Sequence, residues 1–336
     1  MPTRRQQLRG AIENGLLRPG ADATYADGDD VSWMSVDWPA MTRRVLVEGR
    51  EVNTIDTGGE DTQPTSSAGT GKPVLVFVHG LSGTWQNWLL NIPAFMDSHR
   101  VIAPDLPGFG ESPMPREKIS IRLYARILDG LLRALGVESA TVVGNSMGGF
   151  VAAELTISYP TMVERLALVS AAGLSIEEAS RTPLLAGARV WAGTATWLGA
   201  RGQSVITRPR ARRLGLQMIV RYPERLSPEL TYEITRGAGT AGFVPAMEAL
   251  LSYGFRDQLS RIEVPTLVVW GRNDMLVPRG DAREYVRLIG DNARREMFED
   301  TGHLSMVERP SRFNRLLAAF AAGERVPEAG VEGVSG

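Results

Sequence analysis

One serine in this sequence has the surroundings that a catalytic nucleophile needs. Ser146 is the central residue of GNSMG at residues 144–148, directly after the predicted strand TVV at 141–143. Between a strand and a helix, the pattern G-x-S-x-G holds a serine in a sharp turn, with its hydroxyl exposed at the edge of a sheet. The N-terminus of the following helix also favours negative charge there. The pattern predicts a nucleophile at Ser146, and the alternative is a tight strand–helix turn without chemistry.

A serine hydroxyl needs a base to become a nucleophile at neutral pH. The sequence contains three histidines, which are His79, His99 and His303. His303 follows DTG at 300–302, in a predicted loop between a strand and the final helix, and we expect it to be the base. His79 directly follows a buried strand and His99 lies in a polar turn, so both are weaker candidates. The alternative role for His303 is to cap a helix.

The imidazole of such a base is held by a carboxylate that accepts a hydrogen bond from it. Asp274 ends GRND at 271–274, after a predicted strand at 266–270, and we expect it to have this role. Its place in a loop at the carboxyl end of a strand is comparable to that of His303. The other carboxylates that could take the role are Asp105, Asp300 and Glu308.

Acyl transfer to a serine also requires two donors for the oxygen that becomes negatively charged. We expect the backbone N–H of Met147, next to the nucleophile, to be one of them. The loop HGLSG at 79–83 follows a predicted strand at 73–78, and its glycines permit a close approach of the backbone. The N–H of Leu81 is therefore the expected second donor, and the alternative for the loop is a flexible strand exit. Neighbouring residues expected to contact the substrate are Gly80, Ser82 and Asn145.

The composition of the 336 residues excludes several other chemistries. No cysteine is present, which rules out thiolate metal sites and cysteine nucleophiles, and two lysines against 35 arginines disfavour Schiff-base chemistry. A formal net charge of −1 argues against a nucleic-acid or membrane-surface binder. No apolar run is long enough to cross a bilayer, and no secretory signal is recognisable, so we expect a cytoplasmic protein without membrane insertion.

Predicted strands and helices alternate along most of the chain, which is typical of an α/β fold with a mostly parallel sheet and helices on both faces. Single helices are expected near 85–96 and from about 304 to 322. Between residues 174 and 261 several helical patterns occur without a clear strand. The expected units are an N-terminal extension at 1–40, a core formed by 41–173 and 262–322, a helical cap at 174–261 and a flexible tail at 323–336.

Five motifs, in this order, resemble those of the α/β-hydrolase superfamily: HGLSG, DLPGFGES, GNSMGG, GRNDMLVP and GH. They cover roughly residues 40–322, and the chain order Ser146, Asp274, His303 is the order of that superfamily. The resemblance implies an eight-stranded, mostly parallel sheet, a cap between strands six and seven, and no metal or organic cofactor. Haloalkane dehalogenases and epoxide hydrolases place an aspartate at the position of Ser146, so those two activities are disfavoured.

The cap of such a fold would select the substrate. The sequence between residues 181 and 225 contains nine arginines and one acidic residue. A solvated surface is one interpretation of this asymmetry, and attraction of carboxylate-bearing substrates or of an anionic surface is the other. Some residues of the cap, and one in the loop that carries His303, are expected to line an apolar acyl pocket or to contact the substrate. They are Trp197, Met218, Arg236, Phe243 and Leu304.

The resulting hypothesis is a serine carboxylesterase that acts on small to medium, largely apolar acyl esters, as a monomer or homodimer and without a nucleic-acid partner. GNSMGG also resembles the nucleophile region of the meta-cleavage-product C–C hydrolases, which open vinylogous diketone acids, and Arg236 would correspond to their cap arginine. That family has a tryptophan where this chain has Leu304, and an oxyanion loop that differs from HGLSGTW. Lactone, carbamate or amide hydrolysis and a non-enzymatic use of the fold are further alternatives.

Overall fold

An eight-stranded sheet runs through the residues that the computed structural model describes, which are 25–27, 33–58, 71–175 and 207–324. The spatial order of the strands is β1-β2-β4-β3-β5-β6-β7-β8. Strand β2 is antiparallel to both of its neighbours, and all pairs from β4 to β8 are parallel. The strands are β1 (Thr42–Val47), β2 (Arg50–Asp56), β3 (Val74–Val78), β4 (Arg100–Pro104), β5 (Ala140–Asn145), β6 (Val163–Val169), β7 (Thr266–Gly271) and β8 (Ala293–Phe298).

Helices lie on both faces of this sheet, as the alternating pattern predicts. The α-helices of the described residues are α1 (Trp38–Met41), α2 (Ile92–Phe95), α3 (Ile121–Ala134), α4 (Met147–Ser158), α5 (Pro209–Leu216), α6 (Pro228–Ile234), α7 (Phe243–Ser252), α8 (Gly280–Ile289), α9 (Ser305–Glu308) and α10 (Pro310–Ala321). Helices α3, α4 and α8 pack on one face, and α2, α9 and α10 pack on the other. Both faces of the sheet are therefore covered by helices, and all five residues of β3 are buried.

The alternation of side chains along β3 connects the two halves of the core. Val76 belongs to the apolar cluster under α3 and α4, whereas Phe77 points to the opposite face and stacks on Trp88, with ring centroids 4.7 Å apart. Successive residues of a strand point to opposite faces, so one short apolar run supplies both layers. This central strand ends at the loop that begins with His79.

Two helices of the core are shorter than the sequence predicts, and proline is the reason in each case. The expected helix near 85–96 consists of a 3-10 turn, Trp85–Trp88, and the short helix α2, which has Pro93 at its second position. The expected helix from about 304 to 322 is divided into α9 and α10 at Pro310. Proline has no N–H to donate and its ring collides with the carbonyl four residues earlier, so a continuous helix cannot form.

The segment between β6 and β7 contains helices α5, α6 and α7 and no strand among its described residues, which are 170–175 and 207–265. A close backbone contact holds this segment on the core, because Gly242 donates its N–H to the carbonyl of Gly108 (3.0 Å). A methyl group at residue 242 would come within 2.6 Å of that carbonyl oxygen. The glycine is thus required for this approach, which joins the segment between β6 and β7 to the loop that follows β4.

Candidate active site

Ser146 occupies a strained turn between β5 and α4. Its φ of 54° and ψ of −118° lie in a region that residues with a Cβ rarely adopt. The glycines on either side make this turn possible. A methyl group at Gly144 would collide with the carbonyl of Gly148, and one at Gly148 would collide with the carbonyl of Val78 in the neighbouring strand. The backbone therefore presents residue 146 at the N-terminus of α4, close to the end of β3.

His303 and Asp274 form a buried pair at the same edge of the sheet. The Nδ1 of His303 lies 2.8 Å from Oδ2 of Asp274, and their side chains are only 4% and 0% exposed. The other carboxylate oxygen, Oδ1, accepts the backbone N–H groups of Leu276 (2.9 Å) and Val277 (3.0 Å). Both oxygens of the carboxylate are thus engaged, and the imidazole has a fixed orientation.

The protonation of this pair follows from its hydrogen bonds. Burial alone raises the pKa of the Asp274 carboxyl, but the charge and hydrogen bond of His303 and two backbone N–H groups outweigh it and hold that pKa below its ordinary value. An ionised carboxylate can only accept hydrogen bonds, so the Nδ1 of His303 must carry the proton of its hydrogen bond to Asp274. The Nε2 of a neutral imidazole is then left as an acceptor, which is the form of a general base.

Asn145 links the turn at Ser146 to the loop that carries His303. Its side-chain amide donates to the backbone carbonyls of Val169 (3.1 Å) and His303 (3.4 Å). The residue preceding Ser146 is therefore in contact with the backbone of His303. Strands β5, β6, β7 and β8 are adjacent and parallel, so their carboxyl ends bring residues that are far apart in the sequence to one place.

The loop after β3 lies directly against the turn at Ser146. A methyl group at Gly80 would be 3.1 Å from the Cβ of Ser146, which shows how close the two backbones are. Ser82 has a positive φ of 62°, and Gly83 donates to the Gly80 carbonyl (3.0 Å). The N–H groups of Leu81 and Met147 have no acceptor among the residues that the structure describes.

His79 is part of this loop and is fully buried. The N–H of Leu106 donates to its Nε2 (2.9 Å), so Nδ1 carries the proton and donates it to the Gly80 carbonyl (2.8 Å). Burial lowers the pKa of His79, although the nearby charge of Asp105 opposes this. Both ring nitrogens are therefore occupied, and this histidine has no position available to accept a proton from a substrate or from Ser146.

Comparison with known proteins identifies the family. A sequence profile described as "alpha/beta hydrolase fold" matches residues 73–310, which include Ser146, the pair of His303 and Asp274, and the segment between β6 and β7. The chain belongs to the α/β-hydrolase fold family. Within the residues described for this α/β hydrolase, no three histidine, aspartate or glutamate side chains are grouped as a metal ion would require. In the same residues, no helix has both the length and the apolar character needed to cross a membrane.

Relatives of this α/β hydrolase carry several descriptions. The 2-hydroxy-6-oxo-6-phenylhexa-2,4-dienoate hydrolase of Comamonas testosteroni is 31% identical, over 76% of this chain and 89% of the relative. The dihydrolipoyllysine-residue acetyltransferase component of the acetoin cleaving system of Cupriavidus necator is 29% identical, over 76% of this chain but 65% of the relative's length. The solved meta-cleavage product hydrolase of Pseudomonas fluorescens IP01 is 26% identical, with a TM-score of 0.64 and coverage of 85% and 99% of the two chains.

The alternative carboxylates of this α/β hydrolase do not contact the imidazole of His303. Asp105 accepts the N–H groups of Trp85 (2.9 Å) and Glu111 (3.0 Å), so it connects the loops that follow β3 and β4. Asp300 accepts the hydroxyl of Tyr222 (2.8 Å). Glu308 accepts backbone N–H groups of the histidine loop instead of the ring. Asp274 is the carboxylate that the fold brings to the histidine.

The predicted substrate contacts from the cap have different surroundings. Phe243 is buried at the start of α7, and Leu304 is buried next to His303. Arg236 is exposed and pairs with Glu233 (3.0 Å), while Met218 is 46% exposed. Trp197 lies outside the described residues.

The arginine-rich segment is not uniformly a solvated surface. Arg208, Arg210 and Arg213 are exposed. Arg212, in contrast, is buried and donates to the backbone carbonyls of Pro223 (3.4 Å) and Glu224 (3.3 Å), so its inclusion in a solvated or substrate-attracting face is wrong. Its guanidinium takes the place of water as the hydrogen-bond donor to carbonyls at the end of a helical turn. The periodicity of the sequence does not reveal this contact. Arg181, Arg189 and Arg201 lie outside the described residues.

Proposed function

We propose that this α/β hydrolase cleaves carboxylic esters of small to medium, largely apolar acids through an acyl intermediate on Ser146. The observation that carries the proposal is the 2.8 Å hydrogen bond between His303 and Asp274 at the edge of the sheet where Ser146 stands in its strained turn. A nucleophile, a base and a group that orients the base are the three parts that acyl transfer requires.

In the proposed reaction, Nε2 of His303 accepts the hydroxyl proton of Ser146 while Oγ attacks the ester carbonyl carbon. The N–H groups of Leu81 and Met147 donate to the resulting oxyanion. When the tetrahedral intermediate collapses, the C–O bond to the alcohol breaks and the imidazolium gives its proton to the leaving oxygen. Water, deprotonated by the same imidazole, then attacks the acyl carbon, and the proton returns to Ser146 Oγ as the carboxylic acid is released.

The substrate is proposed to be a small molecule held between the edge of the sheet and the cap. Phe243 and Leu304 are buried apolar side chains at these two places and would contact the acyl group. The exposed arginines of α5 would favour substrates that carry a carboxylate, because charges at the entrance of a site raise the local concentration of an oppositely charged ligand.

A second candidate is the hydrolysis of a carbon–carbon bond in vinylogous diketone acids. The names of the relatives from Comamonas testosteroni and Pseudomonas fluorescens favour this reaction. The cap of this chain contains Arg236, which could bind a carboxylate, but it pairs with Glu233. Leu304 after the histidine and the oxyanion loop HGLSGTW are the points at which the chain departs from the resemblance to that family. The two candidates use the same serine, base and oxyanion donors, and they differ in the bond that is broken.

The test is a comparison of substrates with matched variants. p-Nitrophenyl acetate, butyrate and longer esters are assayed beside 2-hydroxy-6-oxo-6-phenylhexa-2,4-dienoate, using the wild-type chain and Ser146→Ala. We expect ester turnover in the wild type and a loss of about 10⁴–10⁶ in kcat in Ser146→Ala. Ser158→Ala is the control, because this serine ends the same helix and its hydroxyl donates to Glu154 (2.8 Å). An unchanged rate in Ser146→Ala would exclude the proposed nucleophile, and turnover of the dienoate without ester turnover would establish the second candidate.

A further inference from the structure

A fully buried carboxylate holds the backbone on both sides of His303. Glu308, the last residue of α9, accepts the N–H of Gly302 at Oε2 (2.9 Å) and the N–H of Leu304 at Oε1 (3.2 Å). These two residues flank the histidine in the sequence, so one carboxylate fixes the peptide units before and after it. A rigid loop is required here because the imidazole must keep its geometry to both its carboxylate partner and the nucleophile.

The same carboxylate binds two further segments of the chain. Its Oε2 accepts the N–H of Arg221 in the cap (2.9 Å) and the hydroxyl of Tyr25 in the N-terminal segment (3.0 Å). The hydroxyl of Tyr25 in turn accepts the N–H of Tyr222 (2.9 Å). Histidine loop, cap and N-terminal segment therefore meet at one buried side chain.

The N-terminal segment is attached here by its backbone as well as by the tyrosine ring. Ala26 donates its N–H to the backbone carbonyl of Glu308 (2.8 Å), and Ser311 donates its hydroxyl to the carbonyl of Asp27 (3.0 Å). The ring of Tyr25 lies edge-on against Tyr222, with centroids 5.2 Å apart. These contacts place the tyrosine hydroxyl in a defined position on the carboxylate.

Four donors converge on Glu308, and this pattern suits an ionised carboxylate, which only accepts hydrogen bonds. Burial raises the pKa of the Glu308 carboxyl above its ordinary value, and the donors at Gly302, Arg221, Tyr25 and Leu304 oppose this increase without reversing it. Removal of one donor would leave a buried negative charge less well compensated. A buried polar group that has lost a partner retains the full penalty of its desolvation.

We propose that Glu308 and Tyr25 are positioning residues for the base: the N-terminal segment completes the hydrogen bonds of a buried carboxylate that holds the loop of His303. The inference rests on the proposed role of His303 in the reaction. Its consequence is that activity depends on a tyrosine nearly 280 residues before the histidine in sequence, in a segment that precedes the hydrolase core.

The chain provides a matched control for the tyrosine–glutamate pair. Tyr253 donates its hydroxyl to Glu154 (2.7 Å), and Glu154 is as fully buried as Glu308. Glu154 lies on helix α4, eight residues beyond Ser146, whereas Tyr253 directly follows α7. The other partners of Glu154 are Arg122 and Ser158 instead of the loop of His303. Tyr253→Phe therefore removes the same chemical group from the same kind of bond at a place that does not hold the base.

The experiment measures kcat, KM and thermal unfolding of the full chain with Tyr25→Phe, Glu308→Gln and Tyr253→Phe, using p-nitrophenyl butyrate. A displacement of a catalytic group by about 1 Å costs on the order of 100-fold in rate. We expect Glu308→Gln to lose about that much kcat, because its NH₂ would face a backbone donor, and Tyr25→Phe to lose about tenfold, in both cases with KM nearly unchanged. Tyr253→Phe should keep the wild-type kcat.

A spectroscopic measurement separates positioning from general stability. We expect the proton between His303 Nδ1 and Asp274 to give a low-field resonance in ¹H NMR, and this resonance to shift or broaden in Tyr25→Phe but not in Tyr253→Phe. Wild-type kcat and an unaltered resonance in Tyr25→Phe would overturn the inference, as would an equal loss of kcat in Tyr253→Phe. If Glu308→Gln does not fold, Tyr25→Phe alone decides. Full activity of His303→Ala would instead overturn the proposed function.

Discussion

The bond between His303 and Asp274 determines what the imidazole can do. The proton on Nδ1 is held by a carboxylate, so the opposite nitrogen remains an acceptor. In Asp274→Asn the amide could present its NH₂ to Nδ1 and stabilise the wrong tautomer. We expect kcat for ester hydrolysis to fall by about 10⁴ while KM changes little, measured by steady-state kinetics near pH 7.5.

The control for that substitution is Asp300→Asn. Asp300 lies three residues before His303 but bonds to the hydroxyl of Tyr222 and pairs with Arg221 (3.4 Å). We expect its loss to change kcat by less than about tenfold, as is typical of a partly exposed ion pair. If both asparagine variants lost activity equally, the assignment of Asp274 as the partner of the base would be wrong.

The strained turn between β5 and α4 depends on the absence of a side chain at Gly148. A Cβ there would meet the carbonyl of Val78, which belongs to the central strand and cannot move aside easily. We expect Gly148→Ala to lower the free energy of unfolding by about 1–3 kcal/mol, the usual cost of overpacking, and to abolish most activity by displacing Ser146. Urea denaturation and an ester assay measure the two effects.

Gly215 in α5 is the matched control for this packing argument. A methyl group at Gly215 would have no atom within 4 Å, and the residue lies inside a helix. Alanine is favoured over glycine in a helix by about 1 kcal/mol, so Gly215→Ala should raise the free energy of unfolding by up to that amount and leave kcat unchanged. A loss of stability in both variants would contradict the packing explanation.

The exposed arginines of α5 can be used to test whether the cap attracts substrates that carry a carboxylate. Arg210 and Arg213 are exposed there, whereas Arg212 is buried and is left unchanged because it holds backbone carbonyls. We expect Arg210→Glu/Arg213→Glu to lower kcat/KM for a dicarboxylic monoester severalfold relative to a neutral ester, and the difference to shrink at high salt, since screening weakens surface charges.

A double charge reversal elsewhere controls for net charge. Arg295 and Arg315 are exposed on β8 and α10, outside the cap. We expect Arg295→Glu/Arg315→Glu to leave the ratio of kcat/KM for the acidic and neutral esters as it is in the wild type. An equal effect of both double variants on that ratio would show that the cap has no special role in attracting carboxylates.

For the molecule as a whole, His79 makes stability depend on pH. Burial holds its pKa in the folded chain below the ordinary value of 6.5. Below pH 6.5 the unfolded chain therefore binds a proton that the folded chain does not, and the free energy of unfolding decreases as the pH falls from there to the lowered pKa. Above pH 6.5 both states are neutral at this residue and its contribution is constant.

Two measurements check this dependence on pH. Urea denaturation at pH values from about 7.5 to 5.5 should show a falling free energy of unfolding. In ¹H NMR, the His79 ring, assigned by its absence in His79→Asn, should keep the chemical shift of a neutral imidazole across the same range. Titration of that ring near 6.5 in the folded chain would contradict its neutral, buried state.

Whether a feature could be predicted from the sequence depends on how far apart in the chain its interacting residues lie. Ser146 and its glycines form a local pattern, because the strained turn is built from five consecutive residues. The division of the last helix is also local, since Pro310 is visible in the sequence, although the helical periodicity on both sides of it favours one continuous helix. The burial of Arg212 depends on carbonyls 11 and 12 residues away and has no local signal.

The role of Glu308 shows the same limit at a longer distance. The sequence places it five residues after His303, where it is one of several carboxylates that could bind the imidazole. Only the folded chain shows that it faces the backbone on both sides of the histidine and receives Tyr25 from the other end of the sequence. A hydrogen bond across 283 residues requires the path of the whole chain to be known.

Motif order and residue chemistry were thus sufficient for the family, the mostly parallel sheet and the expectation of a serine, aspartate and histidine at one edge. The spacing of strand and helix signals carries this information, because it reflects local backbone geometry and apolar periodicity. The sequence also favoured Asp274 as the partner of His303, and the structure shows this contact. What holds the loop of the base, and which donors the other carboxylates accept, followed only from the tertiary structure. These choices depend on which buried polar groups find partners once the sheet has brought distant loops together, and that is a property of the packed chain.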